Sequence, residues 1–283
     1  MDQEKTPFTP KQCYPKNADL YAEIVGDSTA NVAEHFLTLL PPFASDSVIH
    51  DNGCGGGEVT AKIMATNPPP GIQIHATDFD PTMIANCDKM VASHGWSVKT
   101  SLMPAQELSF SDNVFTHSFL NFLIFHTPND GVDCAKEIYR TLQPGGISVI
   151  TTFSEIPHQE IIKATHRELR GPDVALPHGM PDRWYQASHL KHILQEGGFQ
   201  EDNIQLLTTG FYTTVRDLKH WVTILWSYIG APVTGWTPAD EENWDRAISM
   251  IVNQLDQSST YEKHVDGKGG RLKMVAHIAV ATK

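Results

Sequence analysis

Residues 51–57 read DNGCGGG. They follow the apolar run SVIH and precede EVTAKIMAT, a stretch of helical character. Glycine reaches positive φ without strain and lets a neighbouring backbone or ligand come close, so this run reads as a bare, tight turn between a strand and a helix. That junction constrains the fold more than any other feature of the chain. Strand, glycine turn and helix in this order form the opening unit of a parallel α/β sheet, although a lone turn of this kind also serves purely structural ends.

The pattern on either side repeats the unit. STANVAEHFLTLL reads as the first helix, capped by Asp27 or Ser28 and ended by Pro41–Pro42. SVIHD is the first strand and GIQIHATD the second, followed by the helix PTMIANCDKMVASHG with Pro81 in its first turn. WSVKTSLM is a short third strand and NVFTHSFLNFLIF a long fourth one. The helix DGVDCAKEIYRTLQ ends at the turn PGG, and the β-branched ISVITTF is the fifth strand. Two helices, HQEIIKATHRELRG and YQASHLKHILQEGG, then flank GPDVALPHGMPDRW. NIQLLTTGFYTTV is the sixth strand and RLKMVAHIAVATK the last, with the helices DLKHWVTILWSYIG and ADEENWDRAISMIVNQLD between them. Strands alternating with helices predict a mostly parallel sheet covered on both faces. Ligands of such sheets sit beyond the carboxyl ends of the strands, where strand order reverses.

Composition narrows the function. A formal charge of −12 over 283 residues argues against a nucleic-acid partner, which requires clustered Lys and Arg. The most apolar stretch, WVTILWSYI, is about half the length needed to cross a bilayer, so no membrane partner is expected. MDQEKTPFTPKQ has neither the apolar core of a signal peptide nor an Arg-rich amphipathic pattern, which makes a cytoplasmic location the expectation. Four cysteines lie far apart and fourteen histidines are scattered without ligand spacing, so no metal site is expected.

Spacing separates the ligands that a glycine turn can serve. A nicotinamide cofactor goes with G-x-G-x-x-G, and an oxidoreductase fits this chain poorly. Here Asp51 precedes Gly53, Gly55 and Gly57 as D-x-G-x-G-x-G. This resembles motif I of the class I S-adenosylmethionine-dependent methyltransferases. The resemblance continues through HATDFDPTMI at 75–84, SLMPAQELSFSDNVFTHSF at 101–119 and YRTLQPGGISVITTF at 139–153. It implies S-adenosyl-L-methionine as cofactor. Asp51, Gly53, Cys54 and Gly55 would meet its amino-acid end, Asp78 the ribose hydroxyls, and Phe79, Ala105 and Gln106 the adenine. Asn121 and Phe122 would border the methionine end, and Tyr21 would close over it. One departure is Pro104, which stands where the family often has an adenine-binding Asp.

The implied fold is Rossmann-like, a seven-stranded mostly parallel sheet with an antiparallel last strand and a helical lid inserted between the last two strands. The chain reads as one methyltransferase domain: an N-terminal helical cap at 1–42, a cofactor-binding core at 43–153 and a substrate side at 154–283. The lid helices occupy about 216–258 and the closing strand 271–282. That layout is similar to small fungal methyltransferases of secondary metabolism, the gliotoxin thiol methyltransferases among them. The implied activity is methyl transfer to O, S or N of a small, apolar or aromatic acceptor. Trp184, Trp221, Leu225 and Trp226 are the candidates for binding it, although apolar residues around a helix also read as core. His126, His158 and His178 are the candidate bases, each also readable as a packing or surface histidine. A methyltransferase-fold cyclase or pericyclase, or a non-catalytic partner subunit, are the alternatives.

Overall fold

The computed structural model describes residues 7–177, 179–265, 267 and 269–283. β-Branched and aromatic residues build the strands β1 (Val48–Asn52), β2 (Gln73–Asp78), β3 (Val98–Leu102), β4 (Phe115–Leu120) and β5 (Leu142–Glu155). β6 (Ile204–Val215), a short β7 (Tyr261–Lys263) and β8 (Gly270–Thr282) complete the set. The sheet runs β3-β2-β1-β4-β5-β8-β6, with β7 paired to β8 off this path. β1 is parallel to β2 and β4, β2 to β3, and β4 to β5. β8 is antiparallel to β5, from Ile147 opposite Thr282 to Glu155 opposite Val275. The sheet is therefore mostly parallel with an antiparallel strand near one end, as the sequence indicates, and β7 is an unforeseen addition. Strand order reverses between β1 and β4, which places the glycine loop after β1 at the switch point.

The helices are α1 (Ala18–Val25), α2 (Ser28–Leu37), α3 (Glu58–Ala65), α4 (Pro81–His94) and α5 (Val132–Thr141), followed by α6 (Pro157–Arg170) and α7 (Ala187–Glu196). α8 (Leu218–Tyr228), α9 (Pro238–Glu242) and α10 (Trp244–Asp256) come last. Local chemistry sets their ends. Asp80 caps α4 by accepting from Thr82 N at 2.7 Å, with Pro81 at the first helical position. Asp217 caps α8 through His220 N at 2.8 Å.

Beyond β7, α1, β4 and the α9–α10 stretch depart from the sequence reading. α1 was not foreseen; its cap is Asn17, which accepts from Leu20 N at 2.9 Å. β4 stops at Leu120 rather than Phe125, because Phe122 adopts φ 54° and its N–H turns aside to Thr151 Oγ1 at 2.9 Å. The apolar run that suggested a long strand continues instead as a buried turn, a distinction periodicity alone does not make. The stretch read as one helix over 239–256 divides at Asn243 into α9, opened by a Thr237–Asp240 capping box, and α10.

The described residues form two compact units. The larger comprises those within 29–155, 180–211 and 275–283. Its core gathers Phe115, Leu120, Ile138, Leu142, Ile150, Trp184, Leu190 and Leu194 between sheet and helices. Each such side chain contributes roughly 1.5–3 kcal/mol on burial. The smaller comprises those within 1–28, 156–179 and 212–274. There α10 packs on α6 and α8, and α1 on α8. α8 is apolar on nearly every face because Trp221, Val222, Ile224, Leu225 and Trp226 are all enclosed by these neighbours.

Candidate functional site

The loop after β1 is held from below by the sheet. Gly53 N and Cys54 N both donate to Thr77 O at the end of β2, at 2.7 and 2.9 Å. Gly53 and Gly57 have φ of 71° and 96°. A Cβ on Gly53 would lie 2.2 Å from Leu123 Cδ2, and one on Gly57 2.2 Å from Met90 Cε. A side chain at either position would displace the end of Leu123 or Met90, and the positive φ strains it in any case, so the backbone there is bare chiefly for conformational reasons.

Two carboxylates flank the loop. Asp51 is buried at the end of β1, and its Oδ2 accepts from Thr60 N at 3.0 Å and Thr60 Oγ1 at 2.6 Å. Gly57, the cap residue of α3, offers no side-chain acceptor, so Asp51 takes one of the orphan amides of the first helical turn. Burial pushes the Asp51 carboxyl up to about 7 despite those bonds. Asp78 ends β2. Its Oδ2 accepts from Gly55 N at 3.0 Å and its Oδ1 from Asp80 N at 3.0 Å, so it fixes the loop and the start of α4 together. Between Asp51 and Gly53, the Asn52 amide is buried and its Nδ2 has no hydrogen-bond partner. An unpaired buried donor is costly and calls for a polar group.

Phe79, next to Asp78, is 68% exposed. The segment after β3 lies alongside, since Met103 N donates to Asp78 O at 2.9 Å. Within it Ala105 is buried, Gln106 is half-buried, and Pro104 O accepts from Glu107 N at 3.1 Å. The structure thus brings Asp51, Gly53, Cys54, Gly55, Asp78, Phe79, Ala105 and Gln106 to the carboxyl ends of β1 to β3 in one unit.

Asn121 and Phe122 follow β4 in the same unit and are held by a chain of hydrogen bonds. Thr151 Oγ1 donates to Asn121 Oδ1 at 2.7 Å, and Asn121 Nδ2 donates to Thr29 O at 3.0 Å. The Phe122 ring stacks on Phe153 at 4.1 Å. The Asn121 amide is thereby engaged within the protein.

The remaining candidates lie elsewhere. Trp184 is fully buried in the larger unit and its Nε1 donates to Asp130 Oδ1 at 2.9 Å. Trp221, Leu225 and Trp226 are buried in the core of the smaller unit. Trp221 Nε1 there donates to Ile24 O at 3.2 Å, and Trp226 stacks on His166 at 4.4 Å. Tyr21 is exposed on α1 of that unit. His126 lies at the surface in the turn after β4, its ring crowded enough by its neighbours to lower its pKa. His158 is buried edge-on to Trp221 at 5.4 Å, and burial brings its pKa down to about 4. His178 lies outside the described residues.

Sequence reasoning missed Thr60, Thr151 and Leu123. Thr60 stands in the first turn of α3, where a cap partner was to be sought; the other two are joined to their partners only through space. Two clefts lie away from the loop. One of about 490 Å³, between the ends of α2 and α3, is lined by Leu37, Pro42, Phe43, Ala65 and Asn67. The other, of about 360 Å³, lies beside Arg170 and Asp240 in the smaller unit. Among the described residues no group of three or more His, Cys, Asp or Glu could hold a metal ion. Among the same residues no helix is long and apolar enough to cross a membrane.

Comparison with known proteins gives a family match that includes the loop. The profile of a methyltransferase-domain family matches residues 50–150. Cycloartenol-C-24-methyltransferase 1 of Oryza sativa subsp. japonica is 28% identical over 151 residues, 53% of this chain and 42% of that protein. Methyltransferase ucsB of an Acremonium species is 26% identical over 176 residues, 58% of this chain and 59% of that one. The chain thus spans about half the length of these curated relatives. Among solved structures, Haemonchus contortus phosphoethanolamine N-methyltransferase 2, in complex with phosphomonomethylethanolamine and S-adenosylhomocysteine, superposes with a TM-score of 0.54. That match covers 94% of this chain and 56% of the other at 17% identity, a likeness of fold.

Proposed function

We propose that this chain, whose residues 50–150 match a methyltransferase-domain family, is a class I S-adenosylmethionine-dependent methyltransferase that moves a methyl group to an oxygen, sulfur or nitrogen of a small apolar or aromatic metabolite. The observation that carries the reading is the loop itself. Gly53 and Gly57 hold positive φ and bare the backbone, Asp78 holds the Gly55 amide, and Asn52 keeps a buried donor unpaired beside them. These residues suit S-adenosyl-L-methionine, the cofactor of the family. A nucleoside with an amino-acid tail needs close backbone approach and carboxylates for its hydroxyls and ammonium, and it has no pyrophosphate to seat.

The residues that would hold the cofactor are Asp51, Gly53, Cys54, Gly55, Asp78, Phe79, Ala105 and Gln106. When bound it supplies a methyl group on a sulfonium, which departs with a good leaving group. This chain's task is then to align the acceptor and exclude water. Asn121 and Phe122, fixed through Thr151, hold the end of β4 in one conformation. The lowered pKa values of His126 and His158 leave both neutral near pH 7 but make each a weaker base than an ordinary imidazole, so neither is favoured as the acceptor of a proton from O–H or S–H. A thiol acceptor, titrating near 8.5, needs less help from a base than a phenol near 10. Trp184, Trp221, Leu225 and Trp226 are enclosed in the cores of their own units, so the preference for an apolar or aromatic acceptor rests on the family resemblance and not on these side chains. The name of one relative, a fungal methyltransferase, is in keeping with secondary metabolism.

Calorimetric titration with S-adenosylmethionine, S-adenosylhomocysteine and NAD tests the cofactor. Binding of the two sulfur nucleosides and not of NAD is expected; binding of NAD alone would sink the reading. Incubation of the loaded protein with a panel of thiols, phenols and amines, followed by mass spectrometry, tests the reaction. Cofactor binding with no methylated product from any class would point to a protein that holds the cofactor without transferring methyl.

A further inference from the structure

Thr29 opens the larger unit in the first turn of α2. Contacts along that helix fix its direction. The Thr29 carbonyl accepts from Asn121 Nδ2 at 3.0 Å, just past the carboxyl end of β4. Further along, the Phe36 ring stacks on Phe119 at 5.4 Å, and Phe43 beyond the helix lies edge-on to His117 at 5.0 Å. The helix therefore begins at the carboxyl edge of the sheet and descends along β4. At that edge the turn after β4 abuts the glycine loop, since a Cβ on Gly53 would lie 2.2 Å from Leu123 Cδ2. Asn121 is itself fixed, its Oδ1 accepting from Thr151 Oγ1 at 2.7 Å, so the start of α2 is held in place beside that turn.

The Thr29 hydroxyl is buried there without a hydrogen-bond partner. Other threonines in the helices of this chain bond the carbonyl four residues back, as Thr141, Thr165 and Thr223 do at 2.8, 2.9 and 2.7 Å. An O–H taken out of water and left unpaired is costly, and it calls for a partner that the chain itself does not supply. We propose that Thr29 Oγ1 is a binding residue for the amino-acid end of the nucleoside cofactor, donating to its carboxylate. The assignment rests on the cofactor reading above. That end carries an ammonium and a carboxylate. Asp51 and Asp78 beside the loop are acids, which suit an ammonium or a hydroxyl and repel a carboxylate. A hydroxyl fixed at the same edge supplies the donor that the carboxylate lacks, and a hydrogen bond to an ionised acceptor is among the stronger ones.

Two ligands separate this assignment from the reading it rests on. S-adenosylhomocysteine binding to the wild-type protein tests the cofactor reading alone, and its absence would remove both. 5′-Methylthioadenosine keeps the nucleoside and the thioether but lacks the amino-acid end. Thr29→Val keeps the side-chain shape and removes the hydroxyl. This variant should bind S-adenosylhomocysteine about tenfold more weakly and 5′-methylthioadenosine as the wild type does, while Thr29→Ser keeps wild-type affinity for both. Unchanged affinity of Thr29→Val for S-adenosylhomocysteine, or equal weakening of the two ligands, would overturn the assignment. Urea unfolding without ligand gives a readout independent of binding. With no partner to lose, Thr29→Val should unfold at a midpoint no lower than that of the wild type. A lower midpoint, or failure to fold, would show the hydroxyl bonded within the protein and overturn the assignment as well.

Discussion

Single atoms decide whether the loop after β1 can exist. Gly53→Ala would push aside the end of Leu123 and hold an alanine at a φ of 71°, so a loss of roughly 1–3 kcal/mol in urea unfolding is expected, with nucleoside binding weakened. Gly145→Ala is the control: φ there is 78°, yet nothing lies within 4 Å of the added Cβ, so only backbone strain should register and binding should persist. Asp51 makes a second, pH-dependent prediction. Its carboxyl titrates near 7 in the folded chain against 3.8 ordinarily, so its favourable contribution to stability is complete below about pH 4 and is lost as pH rises through 7. Asp51→Asn should therefore gain stability relative to wild type as pH climbs from 4 to 8; a pH-independent difference would refute the assignment. His50, His117 and His158 work in the opposite sense, since burial lowers their pKa values to about 3, 4 and 4. Their contribution is present above about 6.5 and lost as pH falls through 4, which predicts unfolding on the acid side.

At the scale of elements, the start of α3 and the join of α6 to α9 are the points most exposed to test. α3 begins at a glycine cap and depends on Asp51 for an acceptor, so Thr60→Val should cost about 1–2 kcal/mol and leave Asp51 less able to ionise. In the smaller unit the Arg170 guanidinium pairs with Asp240, and both side chains are largely buried. Asp240 also serves the capping box of α9. Asp240→Ala should destabilise by about 3–5 kcal/mol in chemical denaturation, because it strands a buried guanidinium; a loss under 1 kcal/mol would mean that water reaches the pair.

For the whole molecule, the prediction concerns where a bound nucleoside is felt. The loop, Asp78 and the segment after β3 all belong to the larger unit. Hydrogen exchange with saturating S-adenosylhomocysteine should therefore slow first at residues 51–60 and 77–81, as opening of those segments becomes linked to ligand release. Protection confined to 218–256 would place the ligand elsewhere.

What the sequence determined by itself was the class of fold, the switch-point loop and the residues around it, because each is written in local chemistry. Alternating strand and helix periods, glycines after a strand, and an acid closing the second strand need no knowledge of distant partners. Asp51, Gly53, Gly55 and Asp78 were all legible in this way. Only tertiary structure decided that one Asp51 oxygen binds Thr60, that Thr151 turns the chain at Phe122 and ends β4, that α10 starts anew at Asn243, and that Cys54 shares a buried cluster with Cys87. These depend on side chains brought together from 9 to 33 positions apart or on competition for a single N–H, and no periodicity records which partner wins. The same holds for Trp184, Trp221 and Trp226. Their apolar character was plain in the sequence, but only packing showed each to be enclosed by its own unit's core, where burial of a large ring outweighs its exposure to solvent.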